Sequence, residues 1–185
     1  MFDENGFYAS IIPLIDRIKD LGNDIVGCEI GVCEGCSLKY TLENADIKII
    51  HAIDPYVDFQ DFYGRIEQDV LDNFKQKFED IQNGFENKIN FIQKYSDDAK
   101  DDIEDDSLDY IFIDGNHSYD FVCRDMQNYY SKVKSGGLFA GHDWDVSDVQ
   151  KAVKEFMEAN NIPEEKLQID QDKIRPWSYC WSWIK

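Results

Sequence analysis

The stretch GCEIGVCEGCS, residues 27–37, places a glycine-rich turn between an apolar run and the start of a helix-forming segment. The apolar residues 24–30 that enter the turn are typical of a buried strand, and a helix is expected from about Ser37. Glycines in such a turn let the backbone approach a ligand closely. The stretch therefore predicts a strand, a ligand-binding turn and a helix, which together begin an α/β domain.

The same alternation of short apolar runs and longer amphipathic segments continues along the chain. Further strands are expected at residues 47–53, 88–93, 109–114 and 138–141, with two closing strands at 167–170 and 178–184. Helices are expected at residues 7–19, 66–81, 121–133 and 146–159. These repeated units predict a single doubly wound Rossmann-like domain, with a mostly parallel seven-stranded sheet and helices on both faces.

The chain is strongly acidic, with 38 Asp and Glu against 19 Lys and Arg and a formal net charge of −19. Nucleic-acid-binding proteins need clustered Lys and Arg, so this balance argues against nucleic acid as a partner. It also disfavours anionic membranes, and no apolar run approaches the roughly 20 residues of a membrane span. The acidic start, MFDENG, lacks the basic region of a signal peptide. We therefore expect a cytoplasmic protein.

Three of the five cysteines lie in residues 27–37 with the spacing C-x4-C-x2-C, which is one way to begin an iron–sulfur site. Such a site needs a fourth thiolate on an irregular loop. Cys28 instead lies within the predicted strand, and Cys123, the next cysteine after Cys36, lies in a predicted helix. We therefore expect the cysteines to pack as small apolar residues in a reduced compartment.

Polar residues and glycines follow each predicted parallel strand at its carboxyl end. They are Glu29, Gly31, Gly35 and Ser37 after the first strand, Asp54 after the second, Ser96 and Asp97 after the third, Asp114, Asn116 and His117 after the fourth, and His142 and Asp143 after the fifth. Doubly wound sheets bind ligands at this edge, near the point where the strand order reverses. We therefore expect these residues to form one site.

The turn between Gly31 and Gly35 is looser than the G-x-G-x-x-G fingerprint of dinucleotide-binding proteins. Carboxylates at Glu29 and Glu34 would repel a pyrophosphate but would suit a ligand that carries a cation. Asp54 follows the second strand, where a carboxylate accepts hydrogen bonds from ribose hydroxyls. The pattern implies a nucleoside with a positive group and no phosphate, and S-adenosylmethionine fits that description.

Residues 27–37, DYIFIDGNHSYD at 109–120 and GGLFAGHDW at 136–144 together resemble class I S-adenosylmethionine-dependent methyltransferases. The resemblance is closest to the small-molecule and sugar O-methyltransferases, such as the macrolide sugar enzymes. It is more distant to the catechol and caffeoyl-CoA O-methyltransferases. It implies that residues 23–185 form the methyltransferase domain, and we expect a helix in residues 1–22 to cap the site or to make a homodimer contact.

The resemblance also implies a role for each matching position. Glu29, Gly31, Gly35 and Ser37 would line the amino-acid part of the cofactor, Asp54 would hold its ribose, Ser96 and Asp97 would lie by its adenine, and Asp114 would serve both cofactor and catalysis. Asp114 and Asp143, with His142, would bind Mg²⁺ or another divalent cation. His117 would be the general base that deprotonates the hydroxyl of a small-molecule or sugar acceptor. Catechol-type relatives carry Asp-Asn in place of His142 and Asp143, which leaves the second and third metal ligands open.

Several of these residues also have a structural interpretation. Asp54 could be a turn residue before Pro55, and Asp114 or the His142–Asp143 pair could cap a helix. His117 could be an exposed loop histidine. His51, inside the second strand, is expected on a sheet face and not in the site.

The aromatic residues outside the core strands have two possible roles. Tyr56, Phe59, Phe62 and Tyr63, in the loop 54–64, could form a lid over the acceptor or pack on the helix beneath. Trp177, Tyr179, Trp181 and Trp183 are expected to pack in the last closing strand, because their alternation is typical of a half-buried strand.

Two other functions stay open at this stage. One is an NAD(P)-dependent Rossmann oxidoreductase, against which Glu34 and the missing G-x-G pattern argue. The other is a non-catalytic domain that binds the cofactor or a partner with a degenerate metal site.

Overall fold

A computed structural model describes residues 9–61, 64–173 and 175–185 of the chain. Its strands are β1 (Ile25–Ile30), β2 (Ile47–Ile53), β3 (Phe59–Asp61), β4 (Gly64–Ile66), β5 (Ile89–Ile92), β6 (Leu108–Ile113), β7 (Val133–Gly141), β8 (Gln168–Gln171) and β9 (Tyr179–Ile184). Its α-helices are α1 (Ile15–Lys19), α2 (Cys36–Asn44), α3 (Gln68–Gly84), α4 (Ser96–Ala99), α5 (Tyr119–Tyr129) and α6 (Ser147–Ala159). Among the described residues, no helix is long and apolar enough to cross a membrane.

Seven of the strands form one sheet in the order β5-β2-β1-β6-β7-β9-β8. The five strands from β5 to β7 are parallel, whereas β9 runs antiparallel to both β7 and β8. The chain builds outward from β1 to β5 and then returns to β6 on the other side of β1. The strand order therefore reverses between β1 and β6, which is where sheets of this kind bind ligands. The expected seven-stranded, mostly parallel α/β sheet is confirmed.

The packing of strand β6 explains why a central strand of this sheet has a nearly continuous apolar sequence. Ile111 and Ile113 point into the layer that contains Met126 of α5 and residues of α6. Tyr110 and Phe112 point into the opposite layer, with residues of α1, α2 and α3. A parallel strand buried on both faces needs apolar side chains at every position.

The N-terminal segment differs from the single helix expected over residues 7–19. Residues 7 and 8 lie outside the described ranges; Ile12–Leu14 form a 3-10 turn, and α1 follows from Ile15. Pro13 has no N–H and so suits the first turn of a helix but not its interior. Ile11, Leu14 and Ile18 are buried against the sheet, so the described part of this segment belongs to the core.

Strand β7 begins earlier than expected, because the predicted helix 121–133 ends sooner. Helix α5 stops at Tyr129, and Val133 already pairs with Leu108 of β6. The next pair is Tyr110 with Leu138, so the β7 residues between these pairs loop out of register. Gly136 has a φ of +83° in this irregular stretch. The two glycines that were expected to separate helix from strand therefore lie within β7.

Candidate functional site

A cleft of about 520 Å³ opens at the carboxyl ends of β1, β6 and β7. Its walls come from the turn after β1, the start of α2, the loops after β6 and β7, the segment before α1 and the loop before β9. The lining residues are Ser10, Glu29, Gly31, Val32, Cys33, Glu34, Cys36, Ser37, Phe74, Asp114, His117, His142, Asp143, Asp145, Arg175, Trp177 and Ser178. Seven of the residues predicted for the site therefore meet in one cleft, namely Glu29, Gly31, Ser37, Asp114, His117, His142 and Asp143.

The glycine-rich turn after β1 passes directly beneath the loop that follows β6. Gly31 has a φ of +87°, and a Cβ at this position would lie 2.1 Å from the backbone oxygen of Asp114. Such a distance is far below van der Waals contact, so only glycine fits here. Gly35, with a φ of +80°, precedes α2 but lies outside the lining of the cleft.

Asp54 holds this turn in place through both of its carboxylate oxygens. Its Oδ2 accepts a hydrogen bond from the Cys33 backbone N–H at 3.0 Å, and its Oδ1 accepts one from the Tyr56 N–H at 2.8 Å. Burial raises the pKa of Asp54, although these backbone hydrogen bonds act to lower it. The residue is thus a turn-organising carboxylate outside the cleft lining, and its ribose contact stays a prediction.

Glu29, at the end of β1, places a buried carboxylate in the wall of the cleft. It is 1% exposed, and its Oε2 has no hydrogen-bond partner among the described residues. Burial, followed by the charges of Asp114 and Asp54, holds its pKa well above the usual range. A buried carboxylate oxygen without a partner costs free energy, so this position suits a ligand that donates hydrogen bonds or carries positive charge.

Glu34 differs from Glu29 although the sequence suggested the same role for both. Lys77 of α3 donates to Glu34 Oε1 at 2.6 Å. The charge of Glu34 is therefore compensated from within the chain. The acidity available to a ligand at this end of the cleft comes chiefly from Glu29.

Two aspartates and two histidines meet at the ends of β6 and β7. His117 Nε2 lies 2.8 Å from Asp143 Oδ2 and 3.8 Å from Asp114 Oδ1. His142 Nδ1 lies 2.9 Å from Asp143 Oδ2 and 3.4 Å from Asp114 Oδ1. The Nε2 of His142 lies 2.8 Å from Ser178 Oγ, which fixes the orientation of the ring. Both imidazoles thus face the same pair of carboxylates.

The electrostatics of this cluster favour ionised carboxylates. Burial acts to raise the pKa of Asp114 and of Asp143, but the neighbouring His117 and His142 outweigh it and lower both values. Burial acts to lower the pKa of His142, yet the two carboxylates raise it to about 10. The two ionised carboxylates are therefore placed so that both can interact with one positively charged group.

The donor atoms of the cluster are suitable for a divalent cation. Asp114, His117 and Asp143 can each offer one ligand atom, and these atoms all lie within 4.8 Å of one another. Carboxylate oxygen and imidazole nitrogen are common ligands of divalent ions. The predicted third ligand was His142, whereas this grouping contains His117. The structure brings both rings to the carboxylates, so the division of roles between them stays a prediction.

Ser96 and Asp97 form hydrogen bonds with residues of α5 and are not among the residues that line the cleft. Ser96 Oγ donates to Asp125 Oδ1 at 2.5 Å. Asp97 accepts hydrogen bonds from Arg124 Nη1 at 2.7 Å and from Asn128 Nδ2 at 2.8 Å. Both side chains thus have partners within the chain, and their predicted place beside the adenine stays a prediction.

In the loop 54–64, Tyr56 packs on helix α3, which is the second of the two roles expected for these aromatic residues. Tyr56 is buried; its hydroxyl donates to the Cys33 backbone oxygen at 2.6 Å, and its ring packs near Phe78. Phe59 begins the β3–β4 hairpin, and Asn116 Nδ2 donates to the Gln60 backbone oxygen of that hairpin at 3.1 Å. Phe62 and Tyr63 lie outside the described residues. Tyr56 is thus a core residue that supports the turn.

Six of the lining residues lie outside the motifs at 27–37, 109–120 and 136–144, and the sequence did not single them out as site residues. They are Ser10, Phe74, Asp145, Arg175, Trp177 and Ser178. Trp177 is 61% exposed in the loop before β9, so its expected packing in the closing strand is wrong. Trp181 and Trp183 are buried as expected. The only sequence signal for Trp177 is Pro176 before it, which is unusual inside a strand.

The cysteines do not form a cluster. All five are within the described residues and are free of disulfides; Cys28 and Cys180 are buried as small packing residues. Cys33 is exposed and Cys36 half-buried, both in the wall of the cleft. Although the residue as a whole is exposed, desolvation of its thiol in the cleft wall, together with the surrounding carboxylates, raises the pKa of Cys33 to about 12. The expectation of buried packing thus fails for Cys33.

Solved structures share this fold over most of the chain. An rRNA methylase from Streptococcus thermophilus is 13% identical, with a TM-score of 0.66 over 96% of this chain and 97% of that chain. A precorrin-6y C5,15-methyltransferase from Geobacter metallireducens GS-15 is 12% identical, with a TM-score of 0.67 over 99% and 96%. The 1,6-didemethyltoxoflavin-N1-methyltransferase of Burkholderia thailandensis, solved with its namesake ligand and S-adenosylhomocysteine, is 12% identical, with a TM-score of 0.63 over 94% and 76%. At such identities the likeness shows the fold alone.

Sequence comparison gives a nearer relative and a family. Uncharacterized protein R132 of Acanthamoeba polyphaga mimivirus is 33% identical over 126 residues, which are 66% of this chain and 52% of that protein. The chain thus spans about half the length of this curated relative. Residues 28–144 match the family described as Methyltransferase domain, and this range holds the turn after β1 and the loops after β6 and β7. Because the match covers more than half of the chain and nearly all of the cleft's polar centre, the protein belongs to the methyltransferase domain family.

Proposed function

We propose that this protein transfers a methyl group from S-adenosylmethionine to a hydroxyl oxygen of a small molecule or sugar, with the help of a divalent cation. The observation that carries the cofactor is Glu29, a buried carboxylate in the cleft wall whose Oε2 has no partner among the described residues. An ammonium donor beside it would remove the cost of burying that oxygen. S-adenosylmethionine carries such an ammonium and a sulfonium on one nucleoside.

The rest of the cleft supports a cofactor of this kind. Carboxylates of Glu29, Asp114, Asp143 and Asp145 line it in addition to the compensated Glu34, so it favours a cationic ligand over a pyrophosphate. Gly31 brings the backbone of the turn close to the loop after β6. The Burkholderia protein of the same fold holds S-adenosylhomocysteine, the product that such a transfer leaves behind.

The cation would be held by Asp114 and Asp143 with one of the two imidazoles that face them. When bound, a divalent cation supplies Lewis-acid charge that makes an acceptor hydroxyl easier to deprotonate. We assign the ligand role to His142, whose Nε2 is fixed by Ser178 and whose Nδ1 is aimed at both carboxylates. His117 is then the proposed base for the acceptor proton, since an imidazole can take a proton near neutral pH.

The acceptor is proposed to be small and not a nucleic acid. The chain carries a net charge of −19, which opposes a phosphate backbone. At the mouth of the cleft, the exposed ring of Trp177 and the half-buried ring of Phe74 offer flat apolar surface. Such surface suits the ring of a sugar or of another cyclic acceptor.

Calorimetric titration with S-adenosylhomocysteine tests the proposal. We expect saturable binding to the wild type and roughly 10- to 100-fold weaker binding to Glu29→Gln, because hydrogen bonds to a charged acceptor are worth about 1.5–3 kcal/mol. Glu43→Gln, at an exposed position of α2, is the matched control and should bind like the wild type. A wild-type protein that binds NADH but shows no heat with millimolar S-adenosylhomocysteine would refute methyl transfer in favour of an oxidoreductase.

A further inference from the structure

Ser10 enters the cleft from outside the part of the chain that matches the family. It precedes α1, is 2% exposed and lines the cleft beside Asp114 and Ser37. Its backbone oxygen accepts a hydrogen bond from Cys180 Sγ of β9 at 3.1 Å. The segment before α1 is therefore fastened to the sheet at the point where Ser10 reaches the site.

The hydroxyl of Ser10 contacts Asp114, at the proposed cation position, and Ser37, at the proposed cofactor position. Its Oγ donates to Asp114 Oδ2 at 2.6 Å and lies 2.9 Å from Ser37 Oγ on α2. The other oxygen of that carboxylate, Asp114 Oδ1, is the one near His142 Nδ1 and His117 Nε2. Ser10 thus forms a hydrogen bond with Asp114 Oδ2 and leaves Asp114 Oδ1 directed toward the proposed cation position.

The number of hydrogens on each group determines which group donates in each of these hydrogen bonds. The Ser10 hydroxyl has one hydrogen, and an ionised carboxylate can only accept, so that hydrogen points to Asp114. The hydrogen shared between Ser10 and Ser37 must then come from Ser37. With its single hydrogen used, Ser37 can offer the cleft only lone pairs. Glu29 also only accepts when ionised, so both side chains favour a ligand group that donates.

We infer that Ser10 is a positioning residue that fixes Asp114 for the cation and orients Ser37 as an acceptor for the cofactor ammonium. The inference rests on the proposed function. Hydrogen-bonded partners behind a metal ligand orient it, and their loss typically costs about 10- to 100-fold in metal affinity. A merely structural serine would affect stability without changing either binding reaction.

Binding of Mn²⁺, followed by electron paramagnetic resonance without any cofactor, tests the first half. We expect Ser10→Ala to weaken Mn²⁺ binding about 10- to 100-fold, and Ser10→Thr, which keeps the hydroxyl, to restore most of it. Ser131→Ala is the matched control, since Ser131 Oγ donates to Asp105 Oδ1 at 2.9 Å on the surface. If circular dichroism shows that Ser10→Ala is unfolded, Ser10→Cys carries the test, because it keeps the volume and weakens the donor.

Calorimetry with two nucleosides tests the second half. Ser10→Ala should bind S-adenosylhomocysteine about two- to tenfold more weakly, the loss expected for one hydrogen bond. It should bind 5′-methylthioadenosine, which lacks the amino-acid part, as the wild type does.

Wild-type Mn²⁺ affinity in both Ser10→Ala and Ser10→Cys, or no Mn²⁺ binding by the wild type, would overturn the role of Ser10 toward the cation. Equal weakening of both nucleosides would overturn its role toward Ser37. A wild type that binds Mn²⁺ but not S-adenosylhomocysteine would refute the proposed function, while the Mn²⁺ comparison would still test the link between Ser10 and Asp114.

Discussion

At the scale of single residues, the chemistry of the cleft depends on how charges are paired. Glu29 and Glu34 are five positions apart and look equivalent in the sequence. Lys77 compensates Glu34, whereas Glu29 is buried with one oxygen unpartnered among the described residues. The same holds for His117 and His142, which approach one pair of carboxylates from different loops. Sequence position therefore identifies these residues but does not assign their roles.

The role of His117 can be separated from that of a metal ligand by comparing two measurements. If His117 is the base, His117→Ala should lower kcat by about 10²- to 10⁴-fold and leave the Mn²⁺ dissociation constant close to that of the wild type. His51→Ala is the control, because His51 bonds to Asn90 in the sheet and lies outside the cleft lining. Parallel loss of Mn²⁺ affinity and activity would reassign His117 as the ligand.

At the scale of elements, the turn after β1 is held by its neighbours as much as by its own glycines. Asp54 accepts hydrogen bonds from the backbone of Cys33 and Tyr56, both of which have positive φ angles. The Tyr56 hydroxyl in turn donates to the Cys33 oxygen. Non-glycine residues in this conformation are strained and persist where surrounding contacts fix them. These contacts fix the conformation of the turn that lines the cleft.

Gly31→Ala tests how closely the turn must approach the loop after β6. The new Cβ would lie 2.1 Å from the Asp114 backbone oxygen, so we expect a loss of stability and of S-adenosylhomocysteine binding. Gly22→Ala is the matched control, since Gly22 also has a positive φ but has open space around it. We expect about 1–2 kcal/mol of destabilisation at Gly22 from the backbone alone, and about 1–3 kcal/mol beyond that at Gly31 from the clash. Equal losses in urea unfolding would show that the close approach is unimportant.

At the scale of the whole molecule, this acidic chain also buries a carboxyl group outside the cleft. Asp125 of α5 is buried, and burial raises its pKa to about 7, although the hydrogen bond from Ser96 acts to lower it. The folded protein then holds a proton that the unfolded chain releases near pH 4. Above pH 7 this carboxylate is ionised in the folded state at a cost in stability.

Stability should therefore fall as the pH rises through the window from about 4 to 7. The folded state binds more protons there, so the free energy of unfolding decreases with pH, by on the order of 4 kcal/mol from this group. Asp125→Asn cannot ionise and should show a flatter profile in urea unfolding at pH 5 and pH 8. Asp120→Asn, at an exposed position of the same helix, should keep the wild-type slope. Identical slopes in wild type and Asp125→Asn would contradict this role for Asp125.

Much of the fold is local in origin and so was predictable. A parallel strand is buried on both faces and therefore has a continuous apolar sequence, whereas a helix packed on the sheet is buried on one face and has an amphipathic sequence. The alternation of these two patterns predicts the parallel strands and the helices between them. The errors arose where local signals compete. Pro13 limits the first helix, and Gly136 and Gly137, which by local pattern predict a break, lie in an irregular stretch of β7.

The sequence by itself determined the sheet and the residues at the ends of its parallel strands, since each follows from the pattern within one strand and its turn. It therefore placed Glu29, Asp114, His117 and Asp143 at one edge. Only the tertiary structure decided which of these charges are compensated, and it alone brought Ser10 and the loop with Trp177 into the cleft. Those residues precede and follow the motifs by many positions, and their place depends on how the first segment and the last strands close over the sheet.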